Sequence, residues 1–541
     1  MAERLAATQS AHRERVRRAA RLDALWGVLL LSCRGASCDA PAPANRGVSV
    51  SPVASESQSL RAEHGTVALR RQMFSRLVER VRRHHVFSDA WSEADWAEEL
   101  PVLEREVSEA TDRDGLLLGL RHLSNSLRDG HLSFTSPGAD ERAMLSLPIE
   151  LSSAGTLDSP WFVVTRSDRA SGVSLGDHVL TYDGIDRGNL LEHYRFELNA
   201  ATPAARMRQL ARFLYQRSAS DRGRLDGTPV SMTLRHGAHV VSVEPAFRRM
   251  PPAPEVASTG AVQAGSARDR KCPSPSREYD AAYELVDSGK RVCLYRAARG
   301  PFAAYPIVRH DSFRYDAAVE RAADRERVRG FLAAASSVAG VLLDMRNNGG
   351  GVAADYILPW YTSRPFQGLT EWVHVDAELA STDEARLRDA LRSEAALQEY
   401  RRRAESGERW WVRPFDCGAE PCTSPLPEPP VTRAPIALLL GPGCRSACDT
   451  FAAIWSRDHL GPTVGSAPSA MYTSLRYALE VRLGNEPLGE FSIALCGVRF
   501  GAEEPWLEGR PLRIDHVVEP SWPDTEYRLN LLHAAVQALH E

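Results

Sequence analysis

Two short apolar runs, "GVLLDM" (Gly340–Met345) and "PIALLLG" (Pro435–Gly441), constrain this chain most. Neither alternates polar with apolar residues, so a strand built from either is buried on both faces. Each runs into a glycine-bearing turn, "RNNGGG" or "GPGCRS", and a helical pattern follows, "AADYILPWYT" or "ACDTFAAIW". Strand, turn and helix repeated in that order predict an α/β core with parallel strands. Parallel neighbours would set the two turns side by side at the sheet edge where ligands bind.

At 541 residues the chain exceeds what one core can serve, so two or three domains plus tails are expected. Residues 1–33 read as an export signal. Arg13, Arg15, Arg17, Arg18 and Arg21 precede the apolar run "ALWGVLLLS" (Ala24–Ser32), which is shorter than the roughly 20 residues of a spanning helix. Its end, "LLSC", resembles a bacterial lipobox with Cys33 as the lipid-bearing residue. That implies an exported protein, periplasmic or held to a membrane only through the lipid on Cys33. Residues 34–64 are a Pro, Ser and Ala tether.

A helical domain is expected over 65–135, where Met73, Phe74, Leu77, Val78 and Val81, then Leu116, Leu120, Leu123 and Leu127, recur at helical spacing. Residues 140–248 are strand-rich, 249–285 read as a linker, and 286–541 hold the α/β core. Within the core, 366–432 exceeds any ordinary connection and is read as an insertion. It carries a charged helix, "EARLRDALRSEAALQEYRRRA", and the loop with Cys417 and Cys422.

A net charge of −4 offers no surface to nucleic acid. Of 66 basic residues only Lys271 and Lys290 are lysine, which narrows the use of the glycine turn. A Walker loop needs Gly-Lys-Ser/Thr, and no lysine follows Lys290. Gly-x-Gly-x-x-Gly is missing as well. The remaining use is an oxyanion hole, in which backbone N–H groups point at developing negative charge. No spacing of Cys and His supplies four zinc ligands, and neither metal nor organic cofactor is expected.

Ser446 stands between Cys444 and Cys448. A serine opening a helix is ordinarily an N-cap. Beside a glycine turn in the same sheet it is also placed to be a nucleophile. The two cysteines could be nucleophiles themselves, buried thiols, or disulfide partners of Cys496 or Cys293. Nine cysteines, eight if Cys33 is lipidated, permit disulfides in an exported chain, and Cys417 with Cys422 make the best local pair.

Together these stretches resemble the tail-specific, or C-terminal-processing, serine protease family. The family signature Asp-Leu-Arg-x-Asn-x-Gly-Gly is similar to Asp344–Gly351, and its Ser-Ala-x-Glu to Ser446, Ala447, Cys448 and Asp449. Its later Gly-x-x-x-Gly is similar to Gly461–Gly465. "SGVSLGDHVLTYDG" (Ser171–Gly184) resembles the turn and strand of a PDZ domain. Helical domain, PDZ-like module and core follow in the family's order. The resemblance implies an α/β protease core of the crotonase-like, ClpP-like αβ-spiral type. It also implies Ser446 as nucleophile, with the N–H groups of Ala447, Gly350 and Gly351 at the oxyanion.

The better-known branch takes a lysine as its base after the second glycine pair. Here Ser466 follows Gly465, and no lysine lies beyond Ser446. The tricorn-core and retinoid-binding-protein-like branch uses the histidine of an Asp-Gly-His motif, which "LRDGHLSF" supplies as His131. That branch orients its histidine with a late glutamate. "LEGRPLRIDHVVEP" offers Glu508, with Asp515 at the acidic position, and Glu504 is the alternative. Pro511 and Ile514 depart from the family pattern.

The expectation is therefore a serine endopeptidase that cleaves unfolded or tail-presented polypeptides through an acyl-enzyme. A polypeptide substrate is the partner implied. A non-catalytic peptide-binding scaffold of the same fold is the alternative. An esterase would set its nucleophile in Gly-x-Ser-x-Gly at a strand-to-helix elbow, whereas Ser446 lies in Cys-Arg-Ser-Ala-Cys.

Overall fold

Helical periodicity near the amino end becomes three helices, α1 (Val67–His84), α2 (Glu93–Glu109) and α3 (Arg113–Ser126). The computed structural model describes residues 66–87, 93–137, 144–156, 159–168, 171–218, 227–250, 272–334, 338–351, 356–364, 366, 368–382, 384–414, 429–520 and 524–541. The expected export signal with Cys33, the tether, Lys271 and the Cys417/Cys422 loop lie outside the described residues. Among the described residues, no helix is long and apolar enough to cross a membrane.

Side-chain caps open two of these helices. Thr66 Oγ1 accepts the Leu69 N–H at 3.2 Å, and Asp112 Oδ1 accepts the Gly115 N–H at 2.7 Å. Their apolar stripes do not form a core alone. Leu116, Leu120 and Leu123 share one cluster with Leu387, Leu397 and Tyr400 of the expected insertion, and with Leu479 and Phe491 of the hairpin Arg476–Leu483/Glu486–Ala494. The short strand Phe134–Thr135 pairs with that hairpin, Phe134 opposite Phe491. The chain leaving α3 through Asp129–His131 is thus pinned beside it.

The middle region is an antiparallel sheet, β1 (Ile149–Gly155), β2 (Pro160–Ser167), β3 (His178–Tyr182), β4 (Met232–His236) and β5 (His239–Val243), in sequential order. Helix α4 (Pro203–Tyr215), which hydrophobic alternation alone did not reveal, packs along β1. It starts as such helices do, with Thr202 as cap and Pro203 in the first turn.

In the core, β6 (Tyr283–Ser288), β7 (Val292–Ala297), β8 (Ile307–His310), β9 (Val341–Asp344), β10 (Ile436–Leu440), β11 (Thr463–Gly465) and β12 (His516–Val517) form one sheet in chain order. The first three are antiparallel, and from β8 onward every pair is parallel. Every residue of β9 and β10 is buried. Leu343 and Leu438 pack with Val328 of α5 (Ala318–Ala333) and with Phe451 and Trp455 of α6 (Ala447–Arg457). Leu342 and Leu439 face the other way, against Leu531 and Leu532 of α7 (Asp524–Ala538). Burying each such side chain contributes about 1.5–3 kcal/mol, which is why these two runs lie between helices.

Several expectations need correction. The linker read to residue 285 is core from Cys272 onward: Cys272 is disulfide-bonded to Cys293, and Tyr279 is buried on Asp344. The single charged helix of the insertion is three, Ala377–Thr382, Glu384–Leu391 and Glu394–Glu405. Arg392, with a positive φ, breaks the last two apart. After the glycine turn the described residues hold a 3-10 turn, Leu358–Trp360, rather than the expected helix.

Candidate active site

Register sets the two turns. Asp344 lies opposite Leu439 in the β9–β10 pair, so both strands end at the same level and their turns are neighbours. The first turn is built on the buried Asp344. Its carboxylate accepts the Arg346 backbone N–H and Nε, each at 3.0 Å, Arg346 Nη2 at 2.9 Å and the Tyr279 hydroxyl at 2.6 Å. Burial alone would raise its pKa, but Arg346, Arg309 and Tyr279 outweigh burial and hold the carboxyl well below the usual range.

The glycines then meet the serine. Gly350 has φ +80°, and a Cβ there would lie 2.5 Å from the Arg445 carbonyl oxygen, 2.7 Å from Ser446 Cβ and 3.0 Å from the Ala447 nitrogen. Only a glycine lets the two turns touch. The Gly350 N–H expected at the oxyanion is already taken by Asn348 Oδ1 at 2.8 Å, and the Gly349 N–H by the Asp311 carbonyl at 3.2 Å. Among the described residues no acceptor takes the N–H groups of Gly351 or Ala447.

Ser446 does not behave as an ordinary cap. Its backbone is at φ 60°, ψ −126°, a region costly for a residue with a Cβ, and its hydroxyl makes no capping bond. At the α6 start the Ser446 N–H lies toward the Asp449 carboxylate and favours its charged form. The same carboxylate accepts the N–H groups of Ala470 at 2.8 Å and Met471 at 3.0 Å. Burial pushes Asp449 up to about 8, against the pull of those three N–H groups.

The segment Ala470–Thr473 carries the connection onward. The N–H groups of Tyr472 and Thr473 go to Glu508 Oε2 at 2.6 and 3.1 Å. Thr473 Oγ1 donates to Asp129 Oδ2 at 2.8 Å, and Asp129 Oδ1 accepts the His131 N–H at 2.9 Å. Four residues therefore link the serine helix, the Glu508 loop and the His131 loop. The His131 ring is mostly buried, and its Nδ1 is 3.8 Å from Asp129 Oδ1, too long for a hydrogen bond. Among the described residues His131 Nδ1 and Glu508 Oε1 are both buried with no hydrogen-bond partner.

Electrostatics follow from this burial. Desolvation lowers the His131 pKa below 6.5; Asp129 opposes the shift, and Arg476 and Arg445 add to it. The ring is thereby held neutral near pH 7, the form that accepts a proton. Burial raises Glu508 well above the usual carboxyl range, and the charges of Asp129 and Asp449 raise it further.

The other predicted residues fall elsewhere. Glu504 is half exposed, 3.9 Å from Arg457. Lys290 lies by Asp316 and Glu320. Asp515 Oδ2 receives the Thr463 N–H and hydroxyl, tying β11 to β12. Ser466, where the lysine branch keeps its base, is a buried hydroxyl at the end of β11. Cys444 and Cys448 pair with each other, not with Cys496 or Cys293, because Ser446 turns the chain back within five residues. Cys496 is a buried free thiol. Among the described residues no group of His, Cys, Asp or Glu could hold a metal ion. Asp129 and Thr473 escaped the sequence reading. The Asp of Asp-Gly-His was the available signal for the first, whereas nothing local marked the second.

A serine on a strained turn against a glycine turn, at the carboxyl ends of two parallel strands, is placed as a nucleophile can be, and the fold is one shared with solved structures of mature CPAF. In particular, the chain is similar to mature CPAF complexed with lactacystin, at 14% identity and a TM-score of 0.62, over 88% of this chain and 97% of that one. Mature CPAF alone gives 14% identity and a TM-score of 0.60 over 88% and 96%. The photosystem II D1 C-terminal processing protease aligns over 87% of this chain and 97% of its own, at 13% identity and a TM-score of 0.38. No protein-family model and no curated protein matches the sequence. At such identities it is the fold that is shared.

Proposed function

We propose that the protein is a serine endopeptidase that cleaves unfolded or tail-presented polypeptides through an acyl-enzyme. The observation that carries this reading is Ser446: at the cap position its hydroxyl caps nothing, and its strained backbone is held against Gly350. Ser446 attacks the peptide carbonyl, His131 takes its proton, and the N–H groups of Ala447 and Gly351 hold the oxyanion. Gly350 serves by close approach rather than by its own N–H. Glu508, buried with one free oxygen, is the orienting carboxyl group. A second arrangement puts Asp129 in that role, favoured by its 3.8 Å separation from His131 Nδ1.

The sequential strand order supports reading the core as a crotonase-like αβ spiral. The sheet β1–β5 with α4 reads as a PDZ-like module. Its edge strand β1, with α4 alongside, suits an extended peptide end added as a further strand. Arg208 of α4 donates to Asn347 Oδ1 at 3.1 Å, which ties that module to the glycine turn. Export and a lipid on Cys33 complete the reading.

A fluorophosphonate probe tests it, with the modified residue mapped by mass spectrometry. Labelling of Ser446 is expected. Ser446→Ala should lower cleavage of an unfolded protein by roughly a thousandfold or more. A folded chain that neither labels nor cleaves would leave the peptide-binding scaffold as the better reading.

A further inference from the structure

We infer that the Cys444–Cys448 disulfide is a positioning device for the nucleophile: it holds Ser446 in its strained turn and aims the Ala447 N–H at the oxyanion. This rests on the reading of Ser446 as nucleophile. The bridge encloses only Arg445, Ser446 and Ala447, and both of its cysteines are fully buried. Their Cα atoms are 5.2 Å apart, a span a disulfide bridges. Cys448 Sγ also lies 3.7 Å from the Met345 carbonyl oxygen, so the bridge packs against the strand end that leads into the glycine turn.

The other restraints on this turn are non-covalent, among them the Gly350 contact and the Thr450 N–H on the Ser446 carbonyl at 3.1 Å. The Cys448 N–H reaches the Arg445 carbonyl at 3.2 Å, and the Arg445 N–H the Asn348 carbonyl at 3.1 Å. Against them stands the preference of any residue with a Cβ to leave φ +60°. A freed turn would rotate Ser446 toward the extended conformation of an ordinary N-cap. Its hydroxyl would then bond into α6, and the Ala447 N–H would turn from the site.

A staple meant for global stability would look different. Loop-closure entropy grows with the enclosed length, and Cys272–Cys293 spans 21 residues where Cys444–Cys448 spans 4. The shorter bridge does little to the unfolded chain and much to the local geometry. Opening it requires an external dithiol, which gives two electrons and two protons, leaves two thiols on the chain and closes its own disulfide. Because both sulfurs are buried, that exchange waits on local opening.

The two bridges can be tested against each other in the full chain. Cys444→Ala/Cys448→Ala should lose about a hundredfold in fluorophosphonate labelling rate and in kcat, as misplacement of a reacting group does. KM should stay within about twofold, and amide exchange over residues 445–447 should quicken. Cys272→Ala/Cys293→Ala should keep its labelling rate yet lose more in thermal midpoint. Wild-type labelling by the first variant, or a loss matching its unfolded fraction, would overturn the inference. Should that variant fail to fold, the Cys272→Ala/Cys293→Ala chain is treated with a dithiol and its thiols are mapped. Labelling must then fall as thiols appear at 444 and 448, and unchanged labelling overturns the inference. If the wild-type chain does not label at all, the protease reading fails by itself. Exchange at 445–447 with and without the bridge then decides whether the disulfide holds the turn.

Discussion

Around Ser446 most restraints are covalent or lie in the backbone, namely the β9–β10 register, the bare Cα of Gly350, the Cys444–Cys448 disulfide and turn hydrogen bonds, with the side chains of Asn348 and Asp449 beside them. Around His131 they are buried side chains: Asp129, Thr473 and Glu508, with two polar atoms left unpaired among the described residues. The first kind of restraint fixes a position and tolerates little displacement. The second fixes a charge state and can be retuned one group at a time. The segment Ala470–Thr473 joins them, with its first two N–H groups on Asp449 and its last two on Glu508.

On the backbone side the comparison predicts that stability and activity fall together. Gly350→Ala puts a carbon within 2.7 Å of Ser446 Cβ at a positive φ. It should destabilise the chain by roughly 1–3 kcal/mol and lower kcat/KM by about a hundredfold or more. Gly441→Ala, whose added carbon meets nothing closer than 3.4 Å, is the control and should lose little. Peptide-cleavage kinetics and thermal unfolding check the pair; equal behaviour would dissolve the distinction.

On the side-chain side, His131→Ala should cost nearly as much activity as Ser446→Ala, since members of one proton-transfer unit fail together. Stability should move much less, which calorimetry checks. Thr473→Val comes next. It leaves Asp129 Oδ2 buried without its 2.8 Å donor, at about 1–3 kcal/mol. Activity should fall by roughly tenfold as the His131 loop loosens. Thr473→Ser, which keeps the hydroxyl, should restore most of both.

The smallest effect is a shift in pH dependence. Burial, Arg476 and Arg445 together lower the His131 pKa, so the acid limb of kcat/KM should lie below the ordinary histidine range. Arg476→Gln removes a cation that disfavours imidazolium. The limb should move to higher pH, by roughly a few tenths of a unit for an exposed charge. A shift to lower pH would mean that His131 is not the titrating base.

Much of this was legible in the sequence because it is local. The continuous apolar runs of β9 and β10 declared strands buried on both faces, and the glycines after Asp344 declared a turn that needs close approach. Ser446 and His131 were singled out by motif, in register with those turns, and the proposed function rests on them. Glu508 and Glu504 could not be separated, because both are carboxylates in the same loop and only burial tells them apart: one lies under Tyr472 and Thr473, the other faces Arg457 and solvent. Asp129 read as half of an ordinary Asp-Gly turn, since its partner Thr473 is 344 residues away.

By itself the sequence determined the strand–turn–helix order of the core, the absence of any lysine after Lys290 and the serine between two cysteines. These are properties of neighbouring residues, carried by periodicity, backbone freedom and residue type. Only the tertiary structure decided that Cys444 closes on Cys448, that the Gly350 N–H is spent on Asn348, and that the helical domain shares its core with the insertion. Each depends on a close approach, and a contact that forms only once strands pair and helices pack leaves no mark on the residues beside it in the chain.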